Sequence, residues 1–371
     1  MDGSIRQILD PRILGASYSQ TSISDATPFV DAFWQGNIEA IQDETYRSLY
    51  DPADTVPAKS NIPGAEAKRI AVGAALERTF NAFYTFNEIA LPGNVLTALR
   101  NPNVYELQVK GREEVTRIMN KFRRRHLRFK DVVLAKLLTT GKVYLGSDGQ
   151  ILESSSGAVQ TVDAGVPSGN QGSVGGIVGA YWSTAGTNIF SQLDQIRDLA
   201  ASLTVPLPTD IWINAVNFTS LRDNTGSSLV TYFSRNADLN NVVVRRNGSG
   251  NIVSYDLADI NGFNWHFIAS YYTSSSGAAT PSIPKTGAGS VVMTPPPEGN
   301  WFARANGRTL VPNSLDAVAD VDAALAELVY QDGPFFFAKL GHNPVQLSAF
   351  AGDKFFAGFN EPSAVFQLTA F

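Results

Sequence analysis

Few residues of this chain have the types and spacing that catalysis or metal binding needs. The 371 residues include no cysteine and three histidines, His126, His266 and His342, which lie far apart in the sequence. The lack of cysteine excludes disulfides, thiolate nucleophiles, zinc–thiolate sites and iron–sulfur ligation. Because the histidines show no HExxH spacing, a histidine metal site would need carboxylates from distant segments. The sequence therefore predicts no metal site.

Motifs for phosphate binding and nucleophilic catalysis are also missing. Thr140-Gly-Lys-Val lacks the upstream glycine and the following Ser or Thr of a P-loop, and no G-x-S-x-G elbow occurs. The glycine-rich stretch 169–176 lacks the dinucleotide-binding pattern and favours a flexible loop. Asp316, Asp320 and Asp322 lack the glycine and glutamate of a calcium loop and favour the acidic start of a helix. We therefore predict no catalytic residue, no cofactor and a structural protein in place of an enzyme.

The composition is that of a folded chain that hides much of its surface. Hydrophobic residues make up 44%, charged residues only 17%, and the net charge is −5. These values exclude general disorder, and a low-charge chain with 22 Phe, 12 Tyr and 5 Trp favours oligomerisation. The start, Met1-Asp-Gly-Ser-Ile-Arg, has no basic region followed by an apolar stretch, and no run reaches ~18–20 apolar residues. We expect no secretion signal and no membrane contact.

One long basic helix dominates the element pattern. Apolar residues recur every three or four positions from about Lys110 to Leu138, with Gly111 marking the start and Gly141 the end. Residues 110–142 contain eleven Lys or Arg and three acids, a net charge of +8, so the remainder of the chain carries −13. One interpretation is an ordinary solvated helix face. The other is a surface for a polyanion or an acidic partner, without sequence readout because no base-reading motif is present.

The segments around this helix differ in character. Residues 1–60 are broken by prolines and favour either a disordered terminus or an arm that packs on another molecule; the aromatic residues of its amphipathic stretches favour the arm. Residues 68–91 alternate like strands and end at the turn Pro92-Gly93. A helix from Phe190 to Leu203 and a strand at Asp210–Asn214 follow a Gly/Ser-rich loop, and Ala317–Val329 predicts another short helix. Nine phenylalanines fall between Phe335 and Phe371, which predicts terminal strands paired inside a sheet.

In this order, the elements resemble the major capsid proteins of tailed bacteriophages, most closely the lambda-type (major capsid protein E) family with the Hong Kong 97-like capsid fold. The stretch ending Leu137-Leu-Thr-Thr-Gly-Lys-Val-Tyr is similar to the end of that family's spine helix. Residues 190–214, with Pro206-Leu-Pro-Thr, resemble the start of its axial domain, and Val292-Met-Thr-Pro the strand before its return segment. The segment with Gly341-His-Asn-Pro and Asn360-Glu-Pro-Ser-Ala resembles its C-terminal strands. The resemblance covers residues 65–371, and no single motif is specific.

The resemblance implies an α+β fold in four parts. They are an N-terminal arm (1–60), an extended loop (61–105), a peripheral domain with the spine helix (106–189 and 331–371) and an axial domain (190–330). It also implies assembly as hexamers and pentamers into an icosahedral virion shell around double-stranded DNA, built in the host cytoplasm. Implied partners are further copies of the chain, a separate scaffold protein, a portal, a possible decoration protein and packaged DNA contacted without sequence specificity.

Two sets of residues follow as candidates. The spine helix tends to line the inner wall in this family, which makes one set the DNA-facing or scaffold-facing candidates: Lys121, Arg123, Arg124, Arg125, Arg128 and Lys130. The arm supplies the inter-subunit candidates: Phe29, Phe33, Trp34, Ile38 and Ile41. Two alternatives stay open, an encapsulin-type nanocompartment shell, which shares the fold, and an unrecognised α/β hydrolase, which would have a deep pocket with perturbed carboxylates.

Overall fold

The structure is a computed structural model that describes residues 14, 17–18, 27–36, 38–50, 76–91, 105–172, 179–227, 242–247, 250–274, 276–312, 328–342 and 345–371. Within these residues, two large β-sheets contact one long helix. The helices with described bounds are α1 Pro28–Phe33, α2 Tyr105–Thr140, α3 Ile189–Ser202 and α4 Phe218–Arg222. In the described part of the chain no helix is long and apolar enough to cross a membrane.

The strands, in chain order, are β1 Ala40–Ile41, β2 Thr45–Tyr50, β3 Leu76–Asn81, β4 Phe83–Ala90, β5 Lys142–Leu145, β6 Ile151–Leu152, β7 Gln160–Asp163, β8 Gln171–Gly172, β9 Asp210–Asn214, β10 Val242–Arg246, β11 Ile252–Ile260, β12 Phe263–Ile268, β13 Tyr271–Thr273, β14 Ala279–Pro281, β15 Val291–Thr294, β16 Phe302–Pro312, β17 Leu328–Asp332, β18 Phe335–His342, β19 Val345–Phe359 and β20 Phe366–Leu368.

Helix α2 has 36 residues, about 54 Å at 1.5 Å per residue. Its first half buries one stripe, Val115, Ile118, Met119 and Phe122, against β18 and β19. Residues 132–135 and 137–138 of its last turns are buried all round. The helix ends where Gly141 takes a left-handed φ of +67° and its amide hydrogen-bonds back to the carbonyl of Leu137.

The first sheet has the order β1-β16-β19-β18, and β4 pairs with β19 and β17 with β16. Strand β19 is its centre, because this 15-residue strand pairs with β4, β16 and β18, all antiparallel. Small residues Ala338, Ala349 and Ala351 let the sheet approach the buried stripe of α2 closely. One face of this sheet is therefore covered by the helix.

The second sheet has the order β10-β11-β12-β9-β15-β20-β8. Strands β9, β12 and β15 lie at its centre, and every residue of β9 and β15 is buried. Helix α3 packs its apolar stripe, including Leu193 and Ile196, on this sheet, with Trp182 and Trp265 in the same cluster. Three smaller units complete the fold: the ribbon β2–β3, the pair β13–β14 and the sheet β6-β5-β7.

The C-terminal strand β20 lies in the second sheet, between β15 and β8. Strand β20 pairs with β15, and the Nε2 of Gln367 donates a 2.8 Å hydrogen bond to the carbonyl of Leu138, one of the last carbonyls of α2. The carbonyl of Ala370 accepts from the amide of Trp182, and that of Phe371 from the amide of Gly287. The prediction that the terminal aromatic strand is paired inside a sheet is confirmed.

Several element predictions need correction. Helix α2 begins at Tyr105, and Gly111 lies buried inside it, because the packing of the helix outweighs the roughly 1 kcal/mol cost of an internal glycine. Thr45–Tyr50, assigned to the arm, is strand β2 and pairs with β3. The helix predicted at Ala317–Val329 lies mostly outside the described residues, and its last two residues begin strand β17.

The loop before β15 passes against the end of α2 at Gly289. A Cβ on Gly289 would lie 2.2 Å from the carbonyl oxygen of Thr139, and the residue has a φ of +70°. Gly287 has a similar φ of +84°, but a Cβ there would meet nothing within 4 Å. The two glycines therefore form a matched pair that differs in crowding and not in backbone conformation.

We predict that Gly289→Ala lowers the free energy of unfolding by about 3 kcal/mol, because backbone must move to admit the methyl group. Gly287→Ala adds only the left-handed conformation of a non-glycine residue, about 1 kcal/mol. Urea unfolding of the two variants measures both values. Equal destabilisation by the two substitutions would contradict the close approach.

Candidate nucleic-acid and inter-subunit surfaces

One face of helix α2 carries an exposed row of cations. Five exposed cations follow the spacing of one helical face: Arg117, Lys121, Arg124, Arg125 and Arg128. They alternate along the sequence with the buried positions of α2 that contact β18 and β19. With Asn120 they line an open cavity of about 530 Å³, and none of the described residues in its wall is acidic. We call this set the basic face. Within this set, Arg117 forms an ion pair with Glu114, three positions earlier.

A second cavity continues the basic face toward the second sheet. Its volume is about 320 Å³, and Arg124, Arg128 and the buried carboxyl of Asp131 lie in its wall. The other wall carries neutral hydrogen-bonding side chains of the β10–β11 turn and the loops beyond β12: Asn247, Asn251, Ser270 and Ser282. A phosphate-rich or carboxylate-rich surface would meet the two arginines along this groove and neutral polar groups at its rim, with the carboxyl of Asp131 buried behind them.

The structure corrects the expectation for Lys130. Its side chain is 4% exposed, its Nζ lies 3.0 Å from an oxygen of the equally buried Asp353, and it sits over the rings of Trp34 and Phe355 at 4.4 and 4.7 Å. Burial lowers the pKa of Lys130, and the charge of Asp353 and its hydrogen bond act in the opposite direction. Lys130 therefore joins α2 to strand β19 and faces no solvent.

Arg123 also lies outside the basic face. It is half-buried, and its guanidinium lies 5.6 Å from the ring centroid of Tyr18. Of the six residues predicted to face DNA or scaffold, four therefore lie together on the surface: Lys121, Arg124, Arg125 and Arg128. Sequence charge alone could not separate them from Arg123 and Lys130, because all six lie within ten residues of one helix.

The arm residues pack on their own chain. Phe29 and Phe33 are fully buried, with ring centroids 5.5 and 5.4 Å from that of Trp212, and Phe33 also contacts Trp301 and Phe302. A carboxylate oxygen of Asp131 in α2 accepts from the amides of Phe29 and Val30 and so caps α1. The expectation that Phe29 and Phe33 contact a neighbouring subunit is wrong for this conformation.

The other three arm candidates are half-buried. Trp34 packs on Phe355 and donates from Nε1 to the side-chain carbonyl of Asn306, 3.2 Å away. Ile41 lies in β1, which pairs with β16, and is opposite Gly307 there. Ile38 precedes this strand. Trp34, Ile38 and Ile41 stay candidates for contact with another subunit.

A ladder of aromatic rings covers the face of the first sheet opposite α2. Phe86 stacks on Phe350 at 5.7 Å, Phe350 on Phe337 at 5.1 Å, and Tyr84 on Phe86 at 6.3 Å. Tyr84 and Phe86 are 52% and 50% exposed. The phenylalanine-rich C-terminus was the signal that could have located this ladder, and the alternation of Phe336 and Phe337 shows which ring faces out. We call these four residues the aromatic face.

The surroundings of His126 are those of a buried, hydrogen-bonded side chain. His126 is buried; its Nδ1 lies 2.7 Å from the hydroxyl of Tyr18, and its Nε2 lies 3.1 Å from the side-chain Nδ2 of Asn87. Burial lowers the pKa of His126 to about 4, so it is neutral near pH 7. The side chain of His342 lies outside the described residues. No cluster of three metal-binding side chains is present in the described residues.

Comparison with known proteins identifies the fold. No protein-family model matches the chain, and no curated protein matches it. Among solved structures, the putative capsid protein of a prophage of E. coli CFT073 aligns with a TM-score of 0.56 at 11% identity, over 98% of this chain and 99% of that one. A phage-related protein from Bordetella bronchiseptica RB50 aligns over 97% and 96% with a TM-score of 0.48 at 9% identity. The capsid protein of Cyanophage P-SCSP1u gives 0.44 at 12% identity, over 94% and 89%. The likeness to the putative prophage capsid protein shows that the chain has the Hong Kong 97-like phage capsid fold, and that prediction is confirmed.

The buried pair of Lys130 and Asp353 generates a stability prediction. We expect Lys130→Met to lower the free energy of unfolding by about 3 kcal/mol, because it leaves a buried carboxylate without its cation. The exposed neighbour control, Lys121→Met, should change it by less than about 0.5 kcal/mol. Adding Asp353→Leu to Lys130→Met should recover most of the loss. Urea unfolding that gives Lys130→Met and Lys121→Met the same small effect would contradict the pairing.

Proposed function

We propose that this chain is the major capsid protein of a tailed bacteriophage or prophage, a shell subunit without enzymatic activity. The observation that carries the proposal is the end-to-end likeness to the putative prophage capsid protein, over 98% of this chain and 99% of that one. Many copies, as hexamers and pentamers, build an icosahedral virion shell around double-stranded DNA. The separate scaffold protein, portal and decoration protein, and assembly in the host cytoplasm, belong to the same proposal.

Strand pairing supports a division into parts that differs at three points from the sequence expectation. The extended loop begins with β2, because β2 pairs with β3 as one ribbon. The peripheral part includes β16 and β17, which pair with β19 and with each other. The axial part, built on the second sheet and α3, gains β20 from the C-terminus. The spine of the subunit is α2, which contacts both sheets.

The aromatic face supports self-association. Two half-exposed rings that stack on further phenylalanines give a rigid apolar surface, and such surfaces mark protein interfaces. In the proposed shell a neighbouring copy covers this face. The rings cost little conformational entropy when they are covered, because their stacking already fixes them.

We predict that Tyr84→Ser and Phe86→Ser prevent assembly of the full-length chain into particles larger than single capsomers, because each removes half-exposed ring surface. Leu203→Ser is the control, since Leu203 is 42% exposed at the end of α3, away from the first sheet. Sedimentation velocity measures the assembly state and thermal unfolding checks the fold. Particles of wild-type size from folded Tyr84→Ser and Phe86→Ser variants would remove the aromatic face from the proposal.

The basic face supports contact with packaged DNA. Four exposed cations of α2 lie within eight residues, a spacing that suits the regularly spaced phosphates of DNA. Their long lysine and arginine side chains can contact phosphates without reading bases. The remainder of the chain is acidic, so the subunit presents one positive side. We propose that the basic face lines the lumen of the shell.

We predict that the triple substitution Arg124→Gln, Arg125→Gln and Arg128→Gln weakens duplex DNA binding and lowers its log–log salt slope by up to about 2.7, or 0.9 for each lost phosphate contact. A control with equal charge loss uses Arg47→Gln, Lys285→Gln and Arg308→Gln, three exposed cations elsewhere. Fluorescence anisotropy of a 30-base-pair duplex at several salt concentrations measures both. Equal losses in the two triple variants, or none in the first, would contradict a DNA-facing role and favour the encapsulin-type alternative.

A further inference from the structure

The groove of about 320 Å³ between α2 and the second sheet holds a carboxyl group beside its two arginines. Asp131 lies in its wall together with Arg124 and Arg128, and we call this cavity the arginine groove. One oxygen of Asp131 accepts from the amides of Phe29 and Val30 at 2.9 and 3.2 Å, and the residue is 5% exposed. An anion held by the two arginines therefore lies next to this buried carboxyl.

The arginine groove has the donors that one phosphate group needs. Arg124 and Arg128 are four positions apart on α2, so their side chains are neighbours on the helix surface, and guanidinium groups donate in pairs to phosphate oxygens. Asn251 and Ser282 in the opposite wall can donate as well. Arg128 also lines the 530 Å³ cavity of the basic face, so a phosphate in the groove continues the row of cations.

We propose that the arginine groove binds one backbone phosphate of DNA between Arg124 and Arg128, and that it binds this phosphate tightly only while Asp131 is protonated. The proposal rests on the DNA-facing role of the basic face and adds to it a position for one phosphate and the uptake of a proton. An ionised Asp131 would repel the phosphate and attract Arg128, whereas a neutral Asp131 leaves both arginines to the phosphate.

The pKa of Asp131 lies where this coupling can act. Burial raises it to about 7, while the hydrogen bonds from the amides of Val30 and Phe29 and the charge of Arg128 act in the opposite direction. Below pH 7 the carboxyl is mostly neutral, and the groove carries the full charge of its two arginines. As the pH rises through 7 the carboxyl ionises and the phosphate is held more weakly. By reciprocity, a bound phosphate raises the pKa of Asp131 further.

Other titratable and charged groups face Asp131 from the elements packed against it. Asp31 of α1 raises the pKa of Asp131 by its charge, and Arg245 of β10 lies 3.5 Å from Asp31. Burial raises the pKa of Asp31 itself from an acidic starting value. Tyr271 and Tyr272 lie in the groove wall, and burial raises the pKa of Tyr272, which keeps its hydroxyl protonated up to pH 9.

His266 of the second sheet also titrates, outside the wall of the groove. Its Nδ1 lies 2.8 Å from an oxygen of Asp256 on β11, and its Nε2 lies 2.9 Å from an oxygen of Asp210 on β9. Burial lowers the pKa of His266, and the two carboxylates more than offset burial and raise it. Loss of this charge acts equally on the wild type and on Asp131→Asn, so the difference between their pH profiles isolates Asp131.

Binding of a 30-base-pair duplex to the full-length chain between pH 6 and 9 tests the proposal. The phosphodiesters of DNA do not titrate in this range, unlike a phosphate monoester with its second pKa near 6. We expect the association constant of the wild type to fall about tenfold over this range, the change that accompanies a rise of one unit in the pKa of Asp131 on binding.

Two aspartate variants separate the groove from the rest of the chain. Asp131→Asn keeps an oxygen for the amides of Phe29 and Val30, and at pH 9 it should bind the duplex nearly as tightly as the wild type does at pH 6. Asp194→Asn, which removes an exposed carboxylate paired with Arg197, should keep the wild-type profile. Thermal unfolding confirms that each variant is folded.

Calorimetry of duplex binding in two buffers of different ionisation enthalpy counts the proton directly. At pH 7 we expect the wild type to take up about 0.4 proton per bound chain for the same one-unit rise in pKa, and Asp131→Asn to take up none. Arg128→Gln should lose most of the uptake. Lys121→Gln removes the same charge outside the arginine groove, so it should weaken binding and keep the uptake.

The possible results distinguish this proposal from the DNA contact on which it rests. The same pH profile and proton uptake in the wild type and Asp131→Asn would overturn the role of the carboxyl and leave the DNA contact intact. Uptake that persists in Arg128→Gln would overturn the position of the phosphate in the groove. A folded wild type that binds no duplex at any pH would overturn the DNA-facing role and this proposal with it.

Discussion

The burial of helix α2 is the constraint on which the other elements depend. A 36-residue helix with the charge of its segment is not stable as a core element unless its apolar stripe is covered along the whole length. The first sheet covers the first half of the stripe, and the second sheet, the short strands after Gly141 and α1 close around the last turns. The cations occupy the side of α2 that stays uncovered. The packing that buries the apolar stripe therefore also exposes the basic face.

Buried charged and polar side chains tie these covers to the helix. Lys130 meets Asp353 of β19, Asp131 caps α1, and Gln367 of β20 takes up a carbonyl at the helix end. Each contact joins α2 to a segment more than a hundred residues away. A buried ion pair contributes little net stability compared with apolar packing, but it penalises any other register strongly. We interpret these contacts as devices that fix how the sheets sit on the helix.

Helix periodicity predicted the basic helix and its end at Gly141, and strand alternation and phenylalanine content predicted the terminal strands. The face that each cation occupies was only partly predictable. Lys130 follows His126 by four residues and precedes Val133 by three, which places it on the buried side of the helix, and this spacing was the signal that charge counting missed. The pairing of Phe29 with Trp212, 183 residues apart, leaves no local trace in the sequence, since an amphipathic segment looks the same whether its partner is its own chain or another one. Likewise, the environment of His266 depends on three strands that meet only in the folded sheet.

We propose that this fold serves as a shell subunit with its basic face inward. Electron cryomicroscopy of the purified full-length chain tests it most directly, because one map shows both the assembly and the orientation of α2. The account predicts hexameric or pentameric capsomers, or closed shells, in which Arg124, Arg125 and Arg128 line the inner wall. A compact monomer or dimer under all assembly conditions, or a shell with these arginines on its outer surface, would contradict it.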